Sequence, residues 1–288
     1  MMPIAIIVGT IFYKFFAGLS FLTPYLIFTM LFLTYCNLKF KEIRVSPLHL
    51  WLVLIQMFGS LAVYFVISPF NVTIAQGAMV CVLAPTGTAA PVITGMLKGN
   101  VASLTAYSLL SNLCVLVAAP FIFSLVGRPG GLPFFESVLA ISQKVVILLL
   151  GPFLLALILR KFLPAITTAI GKVSGLSFYI WTLALCVVTG RTVEFILKQN
   201  ATNHSIEILV ALAALVVCIV LYTTGRGIGS HYDDTIAGGQ GLGQKNTILA
   251  IWMAQMYLNP ISSIAPGAYV LWQNMFNSWQ VWRKRKSL

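Results

Sequence analysis

From residue 208 to residue 222 every side chain is apolar or aromatic, with no charge and no turn former to end the run. Such a stretch is out of place on the surface of a water-soluble domain, whereas a helix crossing lipid needs about 20 mostly apolar residues. Comparable runs recur through the 288 residues, of which 59% are hydrophobic and 8% charged, against about 25% charged in soluble domains. The chain is expected to be an integral membrane protein. Unbroken runs also argue for helices over a β-barrel, whose strands alternate apolar and polar residues.

The formal net charge of +12 would suggest nucleic acid in a soluble chain, but its distribution assigns it to topology. Lys39, Lys41, Arg44, Lys98, Arg160, Lys161, Lys172, Arg226 and the tail residues Arg283, Lys284, Arg285 and Lys286 fall in alternate loops or at the C-terminus. The other loops hold Arg128, Arg191 and Lys198. Basic residues gather on the cytoplasmic side, which places the C-terminus in the cytoplasm, in a plasma membrane of the bacterial inner type, with no nucleic-acid partner. Cys36, Cys81, Cys114, Cys186 and Cys218 stand singly in apolar runs. They read as small core residues rather than a disulfide frame or a metal site.

Hydropathy and turn chemistry divide the chain into about ten spans: 3–17, 21–38, 47–67, 72–97, 102–126, 135–159, 173–190, 206–224, 234–257 and 261–282. The strongest breaker cluster, residues 127–133 with two prolines and three glycines, falls near the middle. Five spans on either side make two halves, 1–128 and 129–288, of opposite orientation, as in transporters built from inverted repeats. The fourth span of each half is the unusual one. Pro85 and Pro91 interrupt the first, and the glycine-rich stretch 238–247 is expected to interrupt the second. A broken helix leaves N–H and C=O groups that lipid cannot satisfy, so it is tolerated only inside the protein.

Polar residues inside spans are functional candidates by default. They are Gln56 on the third span, Ser108, Ser111 and Asn112 on the fifth, Gln244, Lys245, Asn246 and Thr247 at the second break, and Gln273 and Asn274 on the last. Thr86, Thr88 and Thr94 add hydroxyls around the first break. A buried ammonium at Lys245 needs acceptors, and the nearby carbonyls and amides are those available. Glu42, Glu136, Glu194, Glu207, Asp233 and Asp234 all map to loops or span ends. No enzyme motif is present: His49, His204 and His231 lack the partners of a hydrolytic or metal centre, and no catalytic residue is expected.

At these breaks the chain resembles the bile acid:sodium symporter family of secondary transporters, over essentially its whole length. The resemblance rests on Pro85-Thr86-Gly87-Thr88, on Lys98-Gly99-Asn100-Val101-Ala102, on Gln56, and on Ala265-Pro266-Gly267-Ala268 through Trp272-Gln273-Asn274. It implies ten helices in two inverted five-helix repeats, with the broken fourth and ninth helices crossing in a core domain and a panel domain formed by the rest. It also implies organic-anion substrates taken up with sodium. Several positions depart from the family pattern. Ala90-Pro91 stands where the family has Ser-Asn, and further ligand positions fall on Leu104 and Ser108. A glycine, Gly241 or Gly239 according to register, replaces a glutamate, and Lys245 falls at a glutamine position.

The expected function is a secondary transporter for a small organic anion, working by alternating access. Thr86, Thr88, Thr94, Asn112, Asn246, Thr247 and Asn274 are the candidate substrate contacts. Lys245, with Gln56, Ser108 and Gln244, is expected to form a charge site in which the ammonium replaces sodium. Gln56 and Ser108 are the residual sodium ligands, and no other cofactor is expected. The alternatives are a family-typical sodium-coupled symporter, a non-transporting membrane scaffold and an intramembrane enzyme.

Overall fold

The structure, a computed structural model, describes residues 2–38, 44–127, 133–172, 176–198 and 205–286. Most of the breaker cluster, Arg128 within it, lies outside the described residues, as do Lys39, Lys41, Glu42 and His204. The described residues form helices α1 (Met2–Ile11), α2 (Tyr13–Gly18), α3 (Thr23–Cys36), α4 (Pro47–Ile67), α5 (Val72–Leu83), α6 (Ala90–Met96) and α7 (Val101–Val126). After residues 128–132 come α8 (Phe134–Phe162), α9 (Pro164–Lys172), α10 (Leu176–Lys198), α11 (Ser205–Ser230), α12 (Thr235–Gly243), α13 (Thr247–Tyr257) and α14 (Ile264–Lys286). Helices α4, α7, α8, α10 and α11 are each long and apolar enough to cross a membrane. The molecule is a helical membrane protein.

Local chemistry explains where several helices begin. Asn71, Asn100 and Asn246 cap α5, α7 and α13, each side chain accepting from the N–H three residues on, which satisfies a donor that the first turn leaves free. Proline occupies the first turn of α3, α4 and α6, where its missing N–H is not needed. At the start of α4, the N–H of Ser46 donates to His49 Nδ1 at 3.1 Å, and the opposite ring nitrogen lies 2.9 Å from Ser103 Oγ. His49 is thus a buried capping residue that ties α4 to α7.

Two groups of helices emerge from the packing. Helices α4, α5, α7, α11, α12 and α14 pack on one another, while α1, α2, α3, α8 and α10 form a second group. The groups meet where α8 lies along α7 and where α10 touches α13 and the 3-10 turn Pro260–Ser263 that leads into α14. Leu52, Tyr107, Tyr222, Leu242 and Tyr269 are buried together in the first group. A larger apolar core, including Ile27, Leu31, Phe123, Leu149 and Trp252, joins the two.

Three expectations need correction. The ninth span is broken within residues 238–247 but not at its glycines: α12 runs helically through Gly238, Gly239, Gly241 and Gly243, and residues 244–246 leave the helix. The glycines instead permit close packing. A Cβ on Gly225 of α11 would collide with the carbonyl oxygen of Gly238, and one on Gly238 with that of Gly225. One on Gly243 would run into the ring of Tyr222. Helix α10 continues to Lys198 rather than ending near residue 190, with an i,i+4 ion pair of 2.7 Å between Glu194 and Lys198 on its last turns. Beyond the sixth span, Pro164 opens a separate short helix, α9, that the apolar pattern did not foretell.

Candidate functional site at the paired helix breaks

The first break follows from proline chemistry. Ala84 precedes Pro85 and is pushed out of the helical region, to φ −49° and ψ 137°. Helix resumes at α6, with Pro91 in its first turn. The second break is made by Gln244, extended at φ −94° and ψ 110°, and by the capping residue Asn246.

The two breaks lie antiparallel against each other. Thr86 and Lys245 form a single β-bridge. The N–H of Gly87 donates to Gln244 O at 2.9 Å, and the N–H of Asn246 donates to Pro85 O at 2.8 Å. Pro85 has no donor to offer, and the pairing uses only its carbonyl. Gly87 is required by proximity, since a Cβ there would lie 2.8 Å from Lys245 O.

Each break leaves helix-terminal carbonyls without intrahelical donors, and side chains from the rest of the protein supply them. At the end of α5, Val82 O and Ala84 O accept from Lys245 Nζ at 2.8 and 3.0 Å. Leu83 O and Ala84 O accept from Gln56 Nε2 at 2.8 and 3.0 Å. Gln56 Oε1 in turn accepts from Tyr107 Oη and Ser111 Oγ, both at 2.8 Å. At the end of α12, Gly241 O accepts from Thr86 Oγ1 at 3.0 Å and Gly243 O from Tyr269 Oη at 2.7 Å. The N–H of Lys245 donates to Gln273 Oε1 at 2.9 Å. Asn277 completes the set, accepting from Tyr222 Oη and Gln240 Nε2 and donating to Gln244 Oε1.

Lys245 is 2% exposed and Gln56 fully buried. Lys245 Nζ sits at the carbonyl end of α5, where the helix dipole is negative. Its two acceptors are neutral oxygens. Among the described residues, no group of three His, Cys, Asp or Glu side chains is placed to hold a metal ion.

Of the residues singled out in the sequence, Gln56, Thr86, Ser111, Gln244, Lys245, Asn246 and Gln273 are brought together by these bonds. Thr247 opens α13 beside them, with its hydroxyl buried and unpartnered. Thr94 Oγ1 and Asn112 Oδ1 are likewise buried without partners, and Asn112 Nδ2 turns back to Ser108 O on its own helix. Thr88 and Ser108 are half-buried. Asn274 is not drawn in: it is half-buried and bonds Val270 O one turn back on α14. The face of α14 that meets the breaks carries Gln273, Asn277 and Gln280, all buried. Their 4 and 3 residue spacing is a helical polar stripe readable from sequence. Tyr107, Tyr222, Tyr269 and Gln240 carried no such signal, because their partners are distant in the chain.

Compared with protein-family models and with curated proteins, the chain matches no family model and is significantly similar to no curated protein.

Proposed function

We propose that this protein is a secondary transporter for a small organic anion, working by alternating access around the paired breaks. The ten spans are α1 with α2, then α3, α4, α5 with α6, and α7 in the first half. In the second half they are α8, α10, α11, α12 with α13, and α14. On this reading the halves 1–128 and 129–288 are inverted repeats, and the discontinuous fourth and ninth spans cross. The packing of α4, α5, α7, α11, α12 and α14 into one group supports a core carrying the crossing, with the other helices as the panel it moves against.

The observation that carries the reading is the pairing of the two breaks around Lys245. Irregular backbone at membrane depth is tolerated where it is enclosed by protein, and it characterises transporter sites built from half-helices. The N-terminus of α13 presents its positive dipole end beside the unpartnered Thr247 hydroxyl. Thr94 contributes a further buried hydroxyl able to donate, and Asn112 Oδ1 is an acceptor for a donor group on the solute. These groups suit a compact polar anion.

Sodium fits this arrangement poorly. A hard cation wants several oxygen ligands, preferably with a carboxylate among them. Here Val82 O, Leu83 O and Ala84 O already serve Lys245 and Gln56. At Gly241 the ring of Tyr107 fills the space a longer side chain would need. We therefore assign to Lys245 the positive charge that a coupling cation would otherwise bring.

Uptake of a panel of radiolabelled organic anions into proteoliposomes, with and without a sodium gradient, tests both parts. The expected result is saturable uptake independent of sodium in the wild type and loss of uptake in Lys245→Gln. Strong sodium stimulation would overturn the assignment to Lys245. A sodium-independent carrier unaffected by Lys245→Gln would reduce the lysine to a structural role.

A further inference from the structure

A second polar feature lies away from the breaks. Between α10, the end of α13 and the 3-10 turn at residues 260–263 is a cleft of about 140 Å³. A cavity of about 150 Å³ accommodates a benzene ring. Arg191, Thr192, Glu194 and Phe195 form one wall, and Gln255 and Ser263 form the other. It opens at the start of α14, whose 23 residues then run about 34 Å to the basic tail. The cleft therefore sits at the membrane face opposite that tail.

The charges in this cleft do not cancel. Glu194 is neutralised by Lys198 at 2.7 Å. Arg191 is half-buried and has no acidic partner among the described residues. The neighbouring groups form a fixed scaffold: Gln255 Nε2 donates to Thr192 Oγ1 at 3.0 Å, and Thr192 Oγ1 lies 3.4 Å from Ser263 Oγ. Thr192 Oγ1 and Ser263 Oγ donate to Val188 O and Pro260 O, which leaves the Arg191 guanidinium as the donor facing the cleft. With Phe195 and Pro260 as apolar walls, it matches an oxyanion on a part-apolar body, because the planar fork of arginine binds carboxylate and phosphate in a bidentate manner.

The geometry points to an oxyanion-binding site in this cleft, with Arg191 as its anchor and a carboxylate or phosphate as its ligand. The group can come from a small solute or from a lipid headgroup. The site is distinct from the breaks: Gln255 lies eight residues along α13 from Thr247, about 12 Å away at 1.5 Å per residue. It does not depend on whether the protein transports.

The experiment is equilibrium binding by thermal shift with two probes: benzoate added to the delipidated protein in neutral detergent, and phosphatidylglycerol in nanodiscs compared with phosphatidylcholine alone. The proteins are the wild type, Arg191→Gln, Arg191→Lys and Lys245→Gln. We expect saturable stabilisation of the wild type by at least one probe. Arg191→Gln should weaken it about tenfold or more, the fold-change for losing a charge-assisted hydrogen bond, and Arg191→Lys should restore part of it. An Arg191-dependent response to benzoate assigns the site to a solute, and one confined to phosphatidylglycerol assigns it to lipid. Retention of binding in Lys245→Gln separates the site from the transport reading. If neither probe stabilises the wild type, or if Arg191→Gln binds as tightly as the wild type, the site is overturned.

Discussion

Gly241→Ala is a sharp test of how the breaks are held. A Cβ at this position would lie 2.7 Å from Tyr107 Cδ1, 3.0 Å from Cε1 and 3.5 Å from a methyl of Leu52. Carbon atoms pack at about 3.5–4.0 Å, so the ring must retreat by about 1 Å. Tyr107 is 1% exposed, so the ring is enclosed by its neighbours. Its hydroxyl is also bonded at 2.8 Å to Gln56, the residue that holds Leu83 O and Ala84 O. Overpacking of this kind costs about 1–3 kcal/mol, and disturbing the Tyr107–Gln56 bond adds about 1 kcal/mol. The sum is about 2–4 kcal/mol, or a fall of about 4–8 °C in apparent Tm at about 2 °C per kcal/mol for a chain of this size. The assay is thermal unfolding in detergent across a double-mutant cycle with Tyr107→Leu. In the Tyr107→Leu background, where the ring is gone, Gly241→Ala should have almost no effect, giving a coupling of at least about 1.5 kcal/mol. Equal shifts in both backgrounds would refute the account, as would a single variant within about 0.5 kcal/mol of wild type.

Two further perturbations probe the same region. Gln56→Leu removes four hydrogen bonds and leaves Leu83 O and the Tyr107 and Ser111 hydroxyls short of partners. A loss of about 3–5 kcal/mol is expected, read as a collapsed monodisperse peak on size exclusion after mild heating. Asn246→Ala removes the cap of α13 at about 1 kcal/mol. Hydrogen exchange at the Leu249 amide should speed up while the α8 amides keep their protection.

The first break was legible because proline acts through covalent geometry. Pro85 bars helix at Ala84 whatever surrounds it, and the interruption appeared within residues of where the sequence put it. The glycine stretch was misread because glycine has two uses that look alike in one dimension. It can loosen a backbone, or it can remove a side chain so that two backbones meet, and Gly225 with Gly238 does the second. Lys245 stood out for its charge. The oxygens that receive it, Val82 O and Ala84 O, could be named only as a class, since any carbonyl near a break would have served. On α14 the sequence pointed to Asn274 where Asn277 takes part, because helix phase is set by the face that meets α11 and α12. The apolar run alone does not fix that phase.

The bond from Lys245 to Val82 joins residues 163 positions apart, and this bears on assembly in the membrane. Helices α5 and α12 have 12 and 9 residues, too short to bridge about 30 Å of hydrocarbon alone. While the first half is being inserted, the carbonyl end of α5 has Gln56 beside it but not the lysine that completes its set. A chain stopped near residue 127 therefore carries bare carbonyls at membrane depth, each unsatisfied group costing several kcal/mol there. Residue 245, which arrives late in synthesis, supplies the donor that Val82 O lacks within the first half.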